Sequence, residues 1–286
     1  MRFISFVSSS GKPALGARVG DELVDLTALG LPTTLDELLL AGPEGMSAAA
    51  GALKKATTRL PLAGLRYLPP VSNPTKAIAV GLNYVDHAAE SPYKDAPKYP
   101  VLFNRFRSSW VAHNEPLIRP KASEQFDYEA EMVVVIGKAG RHITPQKALD
   151  HVAGYSLFNE GSVRDYQLRV TQWMVGKNFD SSGSFGPEFV TADELPPGGK
   201  GLRLTCRLNG KQMQECSTSD MIFDVATLIS SISVGMALTP GDIIISGTPA
   251  GVGFARKPPV LMKAGDVCEV ELEGMAILSN RVVDEV

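Results

Sequence analysis

Asp127-Tyr128-Glu129-Ala130-Glu131-Met132-Val133-Val134-Val135-Ile136 is the stretch on which the reading of the whole chain turns. Val133 to Ile136 make one end of this strand a core element. The other end carries two acids. Side chains alternate along a strand, so Glu129 and Glu131 point the same way. Neighbouring carboxylates repel unless a cation sits between them. Oxygen ligands without His or Cys favour Mg²⁺, Mn²⁺ or Ca²⁺. The competing reading is the solvated end of an edge strand, and the pattern alone does not choose.

Working outward, the pattern beyond residue 70 is mostly strands and turns. Lys76–Val80, His151–Asn159, Ile243–Ser246 and Val267–Leu272 read as strands. Asn209-Gly210 joins Leu202–Leu208 to Lys211–Glu215 as a hairpin. Met221–Leu238 has apolar residues at a helical period. One helix amid many short strands predicts an α+β fold on a rolled or barrel-like sheet.

Residues 1–70 read as a small unit of their own. A strand at Arg2–Val7 precedes a hairpin turning at Gly20-Asp21. Thr34-Leu35-Asp36-Glu37 is a capping-box pattern that opens a helix, and a second helix is expected around Ser47–Ala56. Pro69, Pro70 and Pro74 stiffen the connection to residues 71–286, and the boundary is placed there.

Composition narrows the classes. The chain has 286 residues, 44% hydrophobic and 21% charged, which suits a sizeable core and excludes disorder. Lys+Arg is 28 against Asp+Glu 31, a net charge of -3, so nucleic acid is not an expected partner. Three cysteines without a CxxC suggest neither a disulfide framework nor zinc, and a reducing cytoplasm is expected. The start of the chain lacks a long apolar segment. Serines interrupt the longest uncharged apolar stretch, Val225–Gly241, so no membrane span is expected.

Further candidates lie along the chain. Gly154–Asn159 ends in Glu160, an acid at a strand-to-helix turn. His87 and Glu90 are i, i+3 neighbours on a short helix, where a carboxylate fixes the imidazole tautomer and raises its basicity. Lys177 lies in Gly176-Lys177-Asn178-Phe179-Asp180 and could orient an anionic oxygen. The glycines of Ser246–Gly253 expose backbone N–H groups, a carboxylate cradle with the Thr248 hydroxyl as an extra donor. Each has a plain alternative: an exposed acid, a surface ion pair, a solvated lysine, a turn. No G-x-S-x-G or Walker loop is present.

In order, G-L-N-Y-x-x-H-A-x-E, D-Y-E-A-E, G-Y-x-x-F-N-[acid]-x-S-x-R-D-x-Q, G-K-N-F-D and G-T-P-A-G-V-G resemble the fumarylacetoacetate hydrolase family over about residues 71–286. The resemblance implies a mixed β-roll catalytic domain behind a small N-terminal α/β domain, and usually a homodimer. It implies Mg²⁺ or Mn²⁺ held by Glu129, Glu131 and Glu160. The family usually has Asp at this third place, and the extra methylene of Glu160 moves its carboxylate outward by ~1.5 Å. His87, Glu90 and Lys177 match the family's catalytic residues. Arg164, Gln167 and Thr248 match its substrate-binding residues. The usual K-P-S-S reads Phe106-Arg107-Ser108-Ser109, with Arg105 or Arg107 expected to replace the lysine.

The implied substrate is a small 2-oxo acid. The expected reaction is hydrolysis of a C–C bond in a 2,4-dioxo acid: an acylpyruvate, fumarylpyruvate or 2,4-dioxo-3-deoxy sugar acid. His87, oriented by Glu90, would activate the water, and pyruvate would leave. Oxaloacetate decarboxylation and isomerisation of a 2-oxo dicarboxylate are the alternatives on the same site. A non-catalytic sensor or assembly protein that binds the metal and an oxo acid is the alternative of another class. The segment 83–100 is expected to act as a mobile lid.

Overall fold

The structure is a computed structural model that describes residues 1–90 and 96–286. Its backbone is an eleven-stranded mixed sheet facing a five-stranded one. The large sheet runs, in spatial order, through Leu60–Pro61, Glu22–Asp25, Pro13–Val19, Arg2–Val7, Gly183–Thr191, Val152–Asn159, Ala130–Ile136, Ile243–Ile245, Ala77–Gly81 and Val101–Asn104. The short strand Trp110–Val111 pairs in parallel with Gly183–Thr191. The small sheet comprises Lys211–Ser217, Arg203–Leu208, Val267–Leu272, Leu278–Asp284 and Leu117–Arg119.

Ala130–Ile136 lies at the centre, hydrogen-bonded to Val152–Asn159 on one side and to Ile243–Ile245 on the other. Its apolar run does not alternate because both faces are covered. Met132, Val134 and Ile136 face one core, with Leu204, Cys206, Val270 and the helix Val225–Gly235. Val133 and Val135 face a second core, with Phe158, Phe185, Ile243, Ile245 and residues from the N-terminal segment.

Residues 1–70 extend this architecture. Arg2–Val7 pairs with Gly183–Thr191, so the N-terminal hairpin continues the large sheet. Leu35, Leu38 and Leu39 share the second core with Val133 and Val135. Thr34 caps the helix Leu35–Leu40 by accepting from the Glu37 N–H, while Glu37 accepts from Thr33 rather than closing the box on Thr34. The second helix, Gly42–Lys55, starts earlier than its alanine-rich stretch suggests.

Asn209 and Gly210 turn the predicted hairpin with φ 54° and 75°, both left-handed as a tight turn requires. The long strand Gly183–Thr191 carries Ser, Gly and Pro, and its local composition hides it. The several short helices beyond Val225–Gly235 have too few turns to show a period. No helix among the described residues is long and apolar enough to cross a membrane.

Candidate active site

One cavity is lined by His87, Glu90, Glu129, Glu131, Arg164, Gln167, Lys177 and Thr248, residues from five separate sequence stretches. The strand Ala130–Ile136 brings Glu131 to its edge, and Glu129 immediately precedes it. The short helices Arg164–Gln167 and Met174–Lys177 carry Arg164, Gln167 and Lys177. The helix Val85–Glu90 carries His87 and Glu90. Of the segment 83–100, residues 91–95 lie outside the described residues.

His87 Nδ1 stands 3.1 Å from Glu90 Oε1. Glu90 also accepts from the N–H groups of Gly251 and Val252, which fix it from the far side. With Nδ1–H given to Glu90, the imidazole lone pair lies on Nε2, the nitrogen free to exchange a proton.

The acids form a buried charge cluster. Lys177 Nζ stands 2.6 Å from Glu129 Oε2 and 3.9 Å from Glu160 Oε1. Arg164 Nη1 is 2.7 Å from Glu129 Oε1, and its Nη2 is 2.8 Å from Asp127 Oδ2. Burial pushes the Glu129 carboxyl up, but Lys177 and Arg164 outweigh it and hold the group below the ordinary carboxylate range. Glu131 has no such ion pair among the described residues. Burial, then the charges of Glu160 and Glu129, push its carboxyl well above the usual range, and the Gly247 N–H donates to it. Burial also raises Glu160, against Arg105 and Lys177.

Glu160 is the most enclosed of the three. Its Oε1 takes a 2.6 Å bond from Arg105 Nη1, while its Oε2 is buried without a hydrogen-bond partner among the described residues. An orphaned carboxylate oxygen and a second carboxyl raised by like charges fit an additional cation among Glu129, Glu131 and Glu160. In the arrangement described, Lys177 and Arg164 pair with Glu129 and Arg105 pairs with Glu160, while Glu131 takes the Gly247 N–H. Among the described residues no three His, Cys, Asp or Glu groups stand at metal-ligand spacing. Gathering them round an ion therefore requires side-chain rotation.

Two expectations are corrected. Arg105 is not available to a substrate carboxylate, because Glu160, Ser109, Gly161 and Ser182 occupy its guanidinium. Arg107 lies outside the cavity wall, bonded to the Ser72 and Trp110 carbonyls and stacked 5.6 Å from the Trp110 ring. The longer Glu160 and the arginine at 105 thus meet each other, a pairing invisible at 55 residues' separation.

The glycine-rich loop also differs in role. Its N–H groups cradle the chain's own carboxylates: Gly247 serves Glu131, Gly251 and Val252 serve Glu90, and Gly253 and Phe254 serve Asp127. Gly251 has φ 101°, and a Cβ there would fall 2.3 Å from the Met213 carbonyl, so only glycine fits. Thr248 lines the cavity, but its hydroxyl donates to the Ala130 carbonyl and accepts from Gln214. Gln167 Oε1 accepts from Arg164 Nη1 at 2.9 Å.

Sequence reasoning leaves Asp127 unassigned. Buried, it joins Arg164 to the loop at Gly253 and Phe254. Its place at the head of the acidic strand was the available signal. Leu82 was also missed. It lines the cavity at φ 56°, a left-handed conformation that costs a leucine roughly 1–2 kcal/mol.

The family model of the Fumarylacetoacetate (FAA) hydrolase C-terminal region matches residues 76–283. The chain belongs to the fumarylacetoacetate hydrolase family. Oxaloacetate tautomerase fahd2, mitochondrial, of Xenopus laevis is 40% identical to this family member over 291 residues, covering 99% of this chain and 90% of the relative. Among solved structures, fumarylacetoacetate hydrolase from psychrophilic Exiguobacterium antarcticum superposes with a TM-score of 0.88 at 37% identity, each chain covered in full at 100%. Maleylpyruvate hydrolase from Sphingobium sp. SYK-6, in complex with manganese (II) ion and pyruvate, superposes with a TM-score of 0.83 at 28% identity, again with 100% of both chains covered. The family thus includes hydrolases, isomerases and tautomerases, and its α+β fold is the one described above.

Proposed function

We propose that this chain interconverts the keto and enol forms of a small 2-oxo acid, with oxaloacetate the first to test. The observation that carries the reading is the His87–Glu90 pair in the wall of the cavity that holds Glu129, Glu131 and Lys177. The similarity to the Xenopus tautomerase supports the reaction class.

In this reaction His87 Nε2 takes a proton from C3, the C3–H electron pair becomes the C2=C3 π bond and the C2=O π pair moves onto the oxygen. His87 then gives the proton to that enolate oxygen, so nothing is oxidised or lost. Glu90 steadies the transient imidazolium through Nδ1. Lys177 keeps a positive charge among the acids, and Arg164 fixes both Glu129 and Gln167. Glu129, Glu131 and Glu160 would hold Mg²⁺ or Mn²⁺, which when bound supplies positive charge beside the developing enolate oxygen. The manganese in the maleylpyruvate hydrolase structure supports that assignment. A homodimer is part of this proposal and is checked by light scattering.

The test follows the decay of enol absorbance of oxaloacetate and, separately, release of pyruvate. Faster loss of the enol without pyruvate is the expected result. Pyruvate formed from acylpyruvates without any tautomerisation would overturn it in favour of C–C hydrolysis, the reading that the maleylpyruvate hydrolase neighbour supports. Pyruvate released from oxaloacetate would identify a decarboxylase. Chelation with EDTA is expected to lower activity at least about tenfold, with recovery on adding Mn²⁺ or Mg²⁺. Undiminished activity after chelation would remove the metal from the proposal.

A further inference from the structure

Side chains complete the hydrogen-bond ladder of the acidic strand. On the side of Ile243–Ile245, a main-chain bond runs from the Ser246 N–H to the Met132 carbonyl. The neighbouring chain then leaves as the glycine-rich loop. The next position of the acidic strand that faces this side is Ala130, the residue between Glu129 and Glu131. Its N–H donates to Gln214 Oε1 at 2.9 Å, and its carbonyl accepts from Thr248 Oγ1 at 2.9 Å. Gln214 Nε2 donates to Thr248 Oγ1 at 2.9 Å and to the Pro249 carbonyl at 2.8 Å. These bonds close a ring that starts and ends on Ala130. Its direction is fixed. An N–H needs the amide oxygen and a carbonyl needs the amide nitrogen, so the Thr248 hydroxyl donates to Ala130.

Gln214 reaches this place because its strand is bulged. Where Lys211–Ser217 pairs with Arg203–Leu208, Gln212 faces Arg207 and Gln214 faces Cys206, so Met213 is an extra residue. Met213 and Gln214 are consequently both buried, against the alternation of a regular strand. The Met213 carbonyl accepts from Arg256, whose Nε also donates to the Gly251 carbonyl. A buried amide is costly unless bonded, and the three bonds of Gln214 offset that cost.

The ring joins the two segments that carry the site. Glu129 and Glu131 flank Ala130. The loop carries Gly247 and Gly251, whose N–H groups donate to Glu131 and Glu90. The bonds of the ring involve no carboxylate, so turning the acids towards an ion leaves it in place. Resting on the metal assignment above, and not on which reaction the site performs, we infer that Gln214 is a positioning residue. It locks the strand of Glu129 and Glu131 to the loop of Gly247, and so sets how tightly these acids hold a divalent cation.

Calorimetric titration with Mn²⁺ and the melting temperature of the metal-free protein are measured on the wild type, Gln214→Met and Thr218→Val. Thr218 is the control. Buried just beyond the same strand, it donates to the Gly199 carbonyl and accepts from the Leu202 N–H, and it does not line the cavity. Both variants are expected to melt lower. Gln214→Met is expected to weaken Mn²⁺ binding at least about tenfold, the scale of losing an outer hydrogen-bond partner of a metal site. Thr218→Val is expected to bind Mn²⁺ as the wild type does. Gln214→Asn keeps an amide at the position but is too short to span the ring, so it is expected to weaken Mn²⁺ binding as well; it carries the test if Gln214→Met does not fold. Unchanged affinity in a folded Gln214 variant, or an equal loss in Thr218→Val, would overturn the inference while the metal assignment stands. A wild type that binds no Mn²⁺ overturns the metal assignment, and the inference with it.

Discussion

His87→Ala is expected to lower kcat by about 10²–10⁴, the usual contribution of a positioned acid–base group. The far-UV circular dichroism should be unchanged, because the ring lines a cavity and is not part of either main core. Glu90→Gln should cost less. It keeps an acceptor for Nδ1–H but loses the charge that stabilises the imidazolium. Stopped-flow measurement of enol decay gives both numbers. Full activity in His87→Ala would show that the proton travels by another route, and Glu90 would then be only a latch on Gly251 and Val252.

Arg105→Met is expected to destabilise the fold by about 3–5 kcal/mol, the cost of leaving one member of a buried ion pair uncompensated. For a chain of this size that corresponds to a fall in Tm on the order of 10 °C. Both side chains are fully enclosed, at 0% exposure, and the guanidinium also holds Ser109, Gly161 and Ser182. Replacing Glu160 with Gln in the same background should recover part of the loss, because the stranded charge is gone. Scanning calorimetry of the two single variants and the double measures the coupling. Strictly additive losses would mean that Arg105 acts through its serine and backbone contacts and not through Glu160.

How far the site was legible depended on the range of the interaction. The His87–Glu90 pair spans one helical turn, so spacing alone reveals it. The shared direction of Glu129 and Glu131 follows from the strand repeat. Arg105 was read as a substrate ligand because its partner lies on a different strand-end, and no local pattern joins them. The glycine loop was read as a cradle for substrate, and it is a cradle. Only the fold shows that Glu90, Glu131 and Asp127 already fill it.

The same division holds for the backbone. The Asn209-Gly210 hairpin, the capped start of Leu35–Leu40 and the apolar strand Ala130–Ile136 were decided by the sequence, because turn conformation, capping and side-chain alternation act over a few residues. Only the tertiary structure decided that Arg2–Val7 joins Gly183–Thr191, so that residues 1–70 continue the large sheet and share its core. It alone also decided which cation meets which buried acid. Strand partners and ion pairs far apart in the chain are selected by the burial they share, and burial is a property of the assembled whole.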